Sequence, residues 1–402
     1  MAGIAGGAHG RVMPADTVVR AHTTQEVAAC VKDAMSRRTP LRIVGRGHWL
    51  DAGAPASPAT PLALDALAGI VAYTPGDLTL TARAGTTLSD IAAATAEHGQ
   101  WLALDPFGTD DGTIGATIAT ASAGPLAHAF GTPRDAALGL EVVTGDGAIV
   151  RTGGRVVKNV AGFDLTRLFT GSWGTLGVIT EVTVRLRARP EVDETWAVAL
   201  PPDGAIGAAC RAALGAAAAP IALELVDAPL AAALGLGTGP AMLVRLAGAA
   251  AAMRAQRDAL RPLGAAALGP ADIWQRLRAA EPPGSTVVRL SHLPDRIADT
   301  WQLADHAPGV WRHTTPSRGI VRVIVTNADA NDAAATIARA ATGRCTLIAE
   351  RAPAAFWAWA ATPMPNAALA SRVRAAFDPA GILNPGLAPD APRSHAPQSA
   401  DA

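Results

Sequence analysis

Apolar residues recur at helical spacing from Gln25 to Arg38, and the short apolar run Leu41 to Val44 then enters a glycine turn. This pattern predicts a helix followed by a strand. Further on, Leu78 to Ala82 reads as a strand, Thr87 to His98 as a helix opened by a Thr cap and closed at Gly99, and Leu138 to Thr144 as another strand. Gly145-Asp146-Gly147 turns that strand into Ala148 to Thr152, a predicted hairpin. Alternation from Val178 to Leu186 gives a strand that stops at Arg189-Pro190, where a domain boundary is expected. Beyond it, the predicted strands Thr195 to Leu200, Ile221 to Val226, Ala241 to Leu246, Thr286 to Leu290 and Ile320 to Val325 alternate with Ala-rich helices such as Ala249 to Leu263 and Asp332 to Ala341, an α+β arrangement. Pro379, Gly381, Pro385 and Gly386 mark a turn-rich return after a last helix, and residues 389–402 read as a flexible tail. The sequence shows no internal repeat.

Composition narrows the function classes. Half of the 402 residues are hydrophobic and 17% are charged, which fits a globular chain with a sizeable core. The 34 basic and 34 acidic residues cancel, so no charge excess points to nucleic acid. Cys30, Cys210 and Cys345 stand far apart with no CxxC, which suggests neither a disulfide framework nor a cluster or zinc site and fits a reducing compartment. Met1 to Arg20 shows no secretory pattern, and the most apolar stretch, Ala205 to Val226, is broken by Arg211 and Glu224. A cytoplasmic location is expected.

Between Asp105 and Leu186 lie 14 of the 40 glycines, against about eight for an even spread, so backbone there comes unusually close to something. Gly45-Arg46-Gly47-His48-Trp49 follows a strand and can aim backbone N–H groups at an anion, yet Leu50 stands where a dinucleotide fingerprint needs its third glycine, and no P-loop occurs. In Asp111-Gly112-Thr113-Ile114-Gly115-Ala116-Thr117, followed by Gly124, small residues and the Thr113 and Thr117 hydroxyls suit a diphosphate, or a tight turn packed in a core. A third stretch runs from Lys158 through Asp164 to Gly174-Thr175-Leu176-Gly177-Val178-Ile179.

These three stretches, with Ser122-Ala123-Gly124-Pro125, Arg134-Asp135, Leu138-Gly139 and the segment Phe377 to Gly386, resemble the PCMH-type (vanillyl-alcohol-oxidase-type) FAD-binding family. Within it they are similar to the smaller flavin subunits of bacterial glycolate oxidases. The resemblance frames most of the chain, while about 195 to 340 matches only in length and position. It implies an α+β fold: a PCMH-type FAD-binding domain of two α+β subdomains over residues 1–190, an α+β cap over 191–350, and a C-terminal return to the FAD domain over 351–388. It further implies FAD, with the loops Gly45 to Trp49 and Thr113 to Thr117 on the pyrophosphate and Gly174 to Ile179 meeting the cofactor through backbone. The implied reaction is glycolate to glyoxylate, with a larger flavin subunit and an iron–sulfur subunit as partners and a quinone-type acceptor beyond. Having so few cysteines, this chain would need a partner to supply the clusters.

Several residues carry two readings. His48 stands in a loop through which other branches of the family tether FAD covalently, or it makes a plain hydrogen bond. Lys158, one of only two lysines, could stabilise a reduced flavin or a carboxylate, or pair with Asp164. Asp164, Arg134 and Asp135 are read as loop-holding residues, and Trp357 and Trp359 as ring neighbours or ordinary packing. Ala116 replaces an expected glycine and is tolerated if its φ is negative. The nine histidines, His292, His306 and His313 among them, form no H-x-H or HExxH pattern, so no metal site and no substrate-oxidising residue is assigned. Two other functions stay open: a self-sufficient FAD oxidase of another alcohol or 2-hydroxy acid, and a non-catalytic assembly subunit.

Overall fold

A computed structural model describes residues 18–53, 58–154, 163–201, 206–215, 218–268, 272–305, 309–326, 330–353, 356–357 and 366–387. Lys158 and Trp359 lie outside the described residues.

The first helix, Thr24–Arg37, starts where the Thr23 side chain accepts from Glu26 N, 3.1 Å away, and buries Val27, Ala28, Val31 and Ala34 on one stripe. It covers a parallel three-stranded sheet in which Thr60–Ala63 lies between Val19–Arg20 and Leu41–Val44. An antiparallel five-stranded sheet follows, in the order Ile70–Thr74, Thr79–Arg83, Val178–Arg185, Ala137–Val143, Ile149–Gly153. Its core takes in Leu80, Ile118, Val142, Phe169 and Val182. Burial alternates along Val178–Arg185 and Ile149–Gly153, and the Gly145-Asp146-Gly147 turn builds the antiparallel hairpin that the pattern predicts.

From Val192 to Arg351 the chain forms one eight-stranded, all-antiparallel sheet. The order is Ala266–Ala267, Val192–Ala199, Ala241–Gly248, Ala222–Val226, Val310–Thr315, Ile320–Val325, Thr286–Ser291, Thr346–Arg351. Numbered within each half, the four strands stand 4-1-3-2 in the first half and 2-3-1-4 in the second, so two βαββαβ units meet edge to edge through their second strands. This duplication is absent from the residue pattern because the halves share topology and not side chains. One face packs under the helices Ile206–Gly215, Ala250–Leu260, Ile297–Gln302 and Ala330–Ala341, with Leu223, Leu225, Val288 and Val323 between. The other face, carrying Ala222 and Val226, meets Leu126 and Phe130 of the preceding part of the chain.

The helix Ala367–Phe377 then leads the chain back to the first sheet. Leu41 N donates to Ile382 O at 2.8 Å, and Asn384 N donates to Leu41 O at 2.9 Å. No helix among the described residues is long and apolar enough to cross a membrane.

Candidate functional site

A cleft of about 960 Å³, counting its open mouth, runs between the three-stranded and the five-stranded sheet. Of the residues singled out in the sequence, Gly45, Arg46, Gly47, His48, Trp49, Thr113, Gly115, Thr117, Gly174, Gly177 and Ile179 all line it. Ile114 and Val178 point into the core, Gly124 packs on Asp105, and the Thr175 hydroxyl donates to Ser172 O at 2.7 Å. The segments 45–49, 113–117 and 174–179 therefore converge in space on one groove, although they are scattered along the chain.

The loop after Leu41–Val44 is shaped by a residue the pattern did not mark. Arg42, buried beneath it, donates through Nη2 to the carbonyls of Trp49, Leu50 and Ala52 at 3.3 to 3.4 Å. Gly47 takes φ 91°, a conformation that favours glycine. His48 places Nε2 3.3 Å from Asp111, and Arg46 stands 3.8 Å from the same carboxylate. Partial burial works against it, yet the Thr109 hydroxyl and the charges of His48 and Arg46 hold the Asp111 carboxyl below the usual range.

Thr113 caps the helix Ile114–Thr120, and its hydroxyl accepts from Ala116 N. Ala116 is helical, so the missing glycine costs nothing there. The sequence left Gly115 and Gly124 open between a diphosphate and a tight turn packed in a core, and packing accounts for both, as it does for Gly177: a Cβ on Gly115 would stand 2.6 Å from Ala84 Cβ, one on Gly177 2.4 Å from Val142, and one on Gly124 2.1 Å from the Asp105 carbonyl. Packing of the chain on itself already requires them.

Asn384, also unmarked, ties the floor of the cleft together. Its Oδ1 accepts from Ile43 N at 2.8 Å, and its Nδ2 donates to Trp173 O at 2.7 Å. Arg134 and Asp135 sit in a short helix whose capping box joins Asp135 to Thr132, and Asp164 caps the helix Leu165–Phe169.

A second cavity of about 1660 Å³, again including its mouth, opens between this cleft and the eight-stranded sheet. Trp49, Phe107, Thr120, Trp173 and Leu387 line both spaces, and Trp49 meets Trp173 edge to face with ring centroids 5.7 Å apart. Its wall carries Arg134, Arg289, Arg318, Arg322, His313, Glu350 and Trp357. Arg322 is neutralised by Glu281 and Glu350 and stacks on Phe107, its guanidinium carbon 3.9 Å from the ring centroid. Arg289 reaches Glu350 only at 3.9 Å, and its buried Nε has no hydrogen-bond partner. Burial, and then the charge of Arg289, lower the pKa of Arg318. The cavity is therefore electropositive and bordered by aromatic rings. Among the described residues, no group of His, Cys, Asp and Glu could hold a metal ion.

Residues 15–153 match the family model described as "FAD binding domain". The glycolate oxidase subunit GlcE of Escherichia coli (strain K12) is 41% identical over 169 residues, 42% of this chain and 48% of that protein. The glycolate oxidase subunit GlcD of Bacillus subtilis (strain 168) is 34% identical over 215 residues, 53% of this chain and 46% of that protein. A probable mitochondrial D-lactate dehydrogenase of Danio rerio is 36% identical over 185 residues, 45% of this chain and 37% of that protein. The chain thus spans about half, or less, of the length of these relatives. An alkyldihydroxyacetonephosphate synthase structure superposes with a TM-score of 0.70 at 16% identity, covering 92% of this chain and 75% of that one.

The fold is the α+β PCMH-type FAD-binding fold, and its cofactor is FAD. The cleft fits that cofactor: apolar Ile43, Leu64 and Ile179 offer ring-sized surface, while the main chain around 45–49 and the threonines of 113–117 offer polar groups for a diphosphate.

Proposed function

We propose that this chain is an FAD-dependent oxidoreductase of the CH–OH group of a small 2-hydroxy acid, glycolate first among them. It acts as the smaller flavin subunit of a glycolate-oxidising complex, beside a larger flavin subunit and an iron–sulfur subunit. The observation that carries this reading is the continuity of the flavin cleft with a cavity walled by Arg134, Arg289 and Arg318. Guanidinium groups pair with carboxylates in forked geometry, so such a wall selects an anionic acid over a neutral alcohol. The names of the GlcE and GlcD relatives support both the substrate and the assembly.

When bound, FAD supplies a two-electron acceptor. This chain's own residues do the rest. Arg289 and Arg318 hold the acid, Trp49 and Trp173 bound the passage between cleft and cavity, and the buried sheet face keeps water from the far wall. Cys30, Cys210 and Cys345 are free and apart, so electrons leave to clusters on a partner.

The test is an anaerobic absorption titration of the purified chain with glycolate. Loss of the oxidised flavin spectrum places the oxidising site on this chain. A spectrum unchanged by glycolate, D-lactate and longer 2-hydroxy acids assigns it electron relay alone, and a folded but colourless protein assigns it assembly.

A further inference from the structure

The strand Val310–Thr315 and its neighbour Ala222–Val226 place two side chains together on the face that meets the FAD domain. Leu223 and Leu225 turn to the helices on the opposite face, so Glu224 turns to the cavity side with His313 and Thr315. His313 Nδ1 lies 2.8 Å from Glu224 Oε2, and the Thr315 hydroxyl donates to Glu224 Oε1. Both members of the pair are almost fully buried, with 2% of His313 and 1% of Glu224 exposed. A carboxylate only accepts hydrogen bonds, so the proton of the neutral imidazole sits on Nδ1 and Nε2 keeps its lone pair. That Nε2 is buried, belongs to a residue lining the cavity and has no hydrogen-bond partner. Leaving such a nitrogen unpaired costs about 1 to 3 kcal/mol, which a ligand hydroxyl in the cavity would recover.

We infer that Glu224 and His313 are the proton-accepting pair of this cavity, with Arg289 and Arg318 fixing the acid so that its 2-hydroxyl donates to His313 Nε2. The inference rests on the hydroxy-acid reading above and assigns its proton. The hydroxyl O–H bond breaks and its proton passes to Nε2. The C2–H bond breaks with its electron pair, for which FAD is the two-electron oxidant, and C2=O forms. Glu224 then faces an imidazolium and compensates its charge.

The surroundings suit a neutral, accepting imidazole. Arg322, the register partner of His313 on the next strand, is already neutralised by Glu281 and Glu350. The Phe107 ring lies 5.5 Å from the imidazole. Arg289 and Arg318 share the cavity, Asp105 and His128 of the FAD domain feel the charge of Glu224, and Ser317 hydrogen-bonds His128 at 2.7 Å.

Oxalate is an acid of the right size with no C2–H to lose, and calorimetry in buffers of different ionisation enthalpy counts the protons taken up when it binds the FAD-loaded chain. The expected result, between about pH 5 and 8, is uptake approaching one proton per oxalate at the alkaline end. In His313→Asn that uptake disappears and the affinity loses its pH dependence. In the same variant, flavin reduction by glycolate slows by about 10²- to 10⁴-fold. Uptake near zero in the wild type across this range overturns the inference without any variant, as does His313→Asn binding oxalate with the wild-type pH profile. If wild-type flavin resists every 2-hydroxy acid while His313-dependent uptake persists, the proton pair stands and the oxidase reading falls.

Discussion

Arg351, at the end of the last strand of the eight-stranded sheet, donates through Nη2 to the backbone carbonyl of His48, 3.1 Å away and 303 positions earlier in the chain. The same guanidinium meets Asp51 at 3.2 Å, pairs with Glu281, and stacks over Trp49 at 4.7 Å. Ala52 bridges to Arg351, and Gly53 N donates to Glu350 O at 2.8 Å, so the loop after Leu41–Val44 is added to the open edge of the eight-stranded sheet. We propose that this sheet is the cap and that it holds the cofactor loop in place.

That coupling predicts the effect of Arg351→Lys. Lysine keeps the charge that the buried carboxylates require but cannot hold a carbonyl, a carboxylate and a ring at once. FAD affinity should fall about tenfold, roughly the 1.4 kcal/mol of one charged hydrogen bond, with little change in melting temperature. Fluorescence titration of the FAD-free protein with FAD checks this, and unchanged affinity would separate the cap from the loop.

The cap at Thr87, the 145–147 hairpin and the C-terminal return were legible because each depends on local chemistry: a hydroxyl before a helix, a two-glycine turn, proline and glycine at fixed places. The strand Val310–Thr315 was not legible. Its polar run Arg312-His313-Thr314-Thr315 reads as exposed, yet each member finds a partner inside: Arg312 in Asp227, His313 (through Nδ1) and Thr315 in Glu224, and Thr314 in Ile320 O. Partners that are 6 to 91 residues away leave no periodic trace. Asn384 was missed for the same reason, since the backbone it holds is 211 and 341 positions away, and Arg42 because it holds carbonyls of the loop after its own strand, which no periodicity marks.

Gly124 tests whether the glycines serve packing. Its φ lies outside the left-handed region, so alanine there is opposed by Asp105 alone, whose backbone carbonyl lies 2.1 Å and carboxyl Oδ1 3.0 Å from the new Cβ. Gly124→Ala should cost about 1 to 3 kcal/mol in urea unfolding of the FAD-free chain. A variant as stable as wild type without FAD, and defective only in binding it, would restore the ligand explanation.

His48 bears on how the cofactor is held. With Nε2 engaged by Asp111, the expected attachment is noncovalent, and acid precipitation should leave all flavin in the supernatant. His48→Ala should still bind FAD, more weakly and without the salt-sensitive part contributed by the Asp111 cluster. Yellow pellets that turn colourless in His48→Ala would instead establish a histidyl tether.

Asp105 governs stability near neutral pH. Complete burial, opposed by Arg278, the Leu126 N–H and Arg245 and reinforced by Glu224, pushes its carboxyl up to about 7. The unfolded chain releases that proton near pH 4, so between about pH 4 and 7 the folded state holds a proton the unfolded state lacks. Stability therefore falls as pH rises through this window and levels off above it, by an amount on the order of 4 kcal/mol if burial acts in full. The lowered carboxyls of Asp111, Asp135, Glu141, Asp146 and Glu194 act with the opposite sign, gaining stability as pH rises, but their effect is complete near the lower end of the window. Asp105→Asn preserves an oxygen for Leu126 N, 3.0 Å from Oδ2, and removes the titration. Unfolding free energies of wild type and variant should diverge with rising pH in favour of the variant, and parallel curves from pH 4 to 8 would show that Asp105 is ionised throughout.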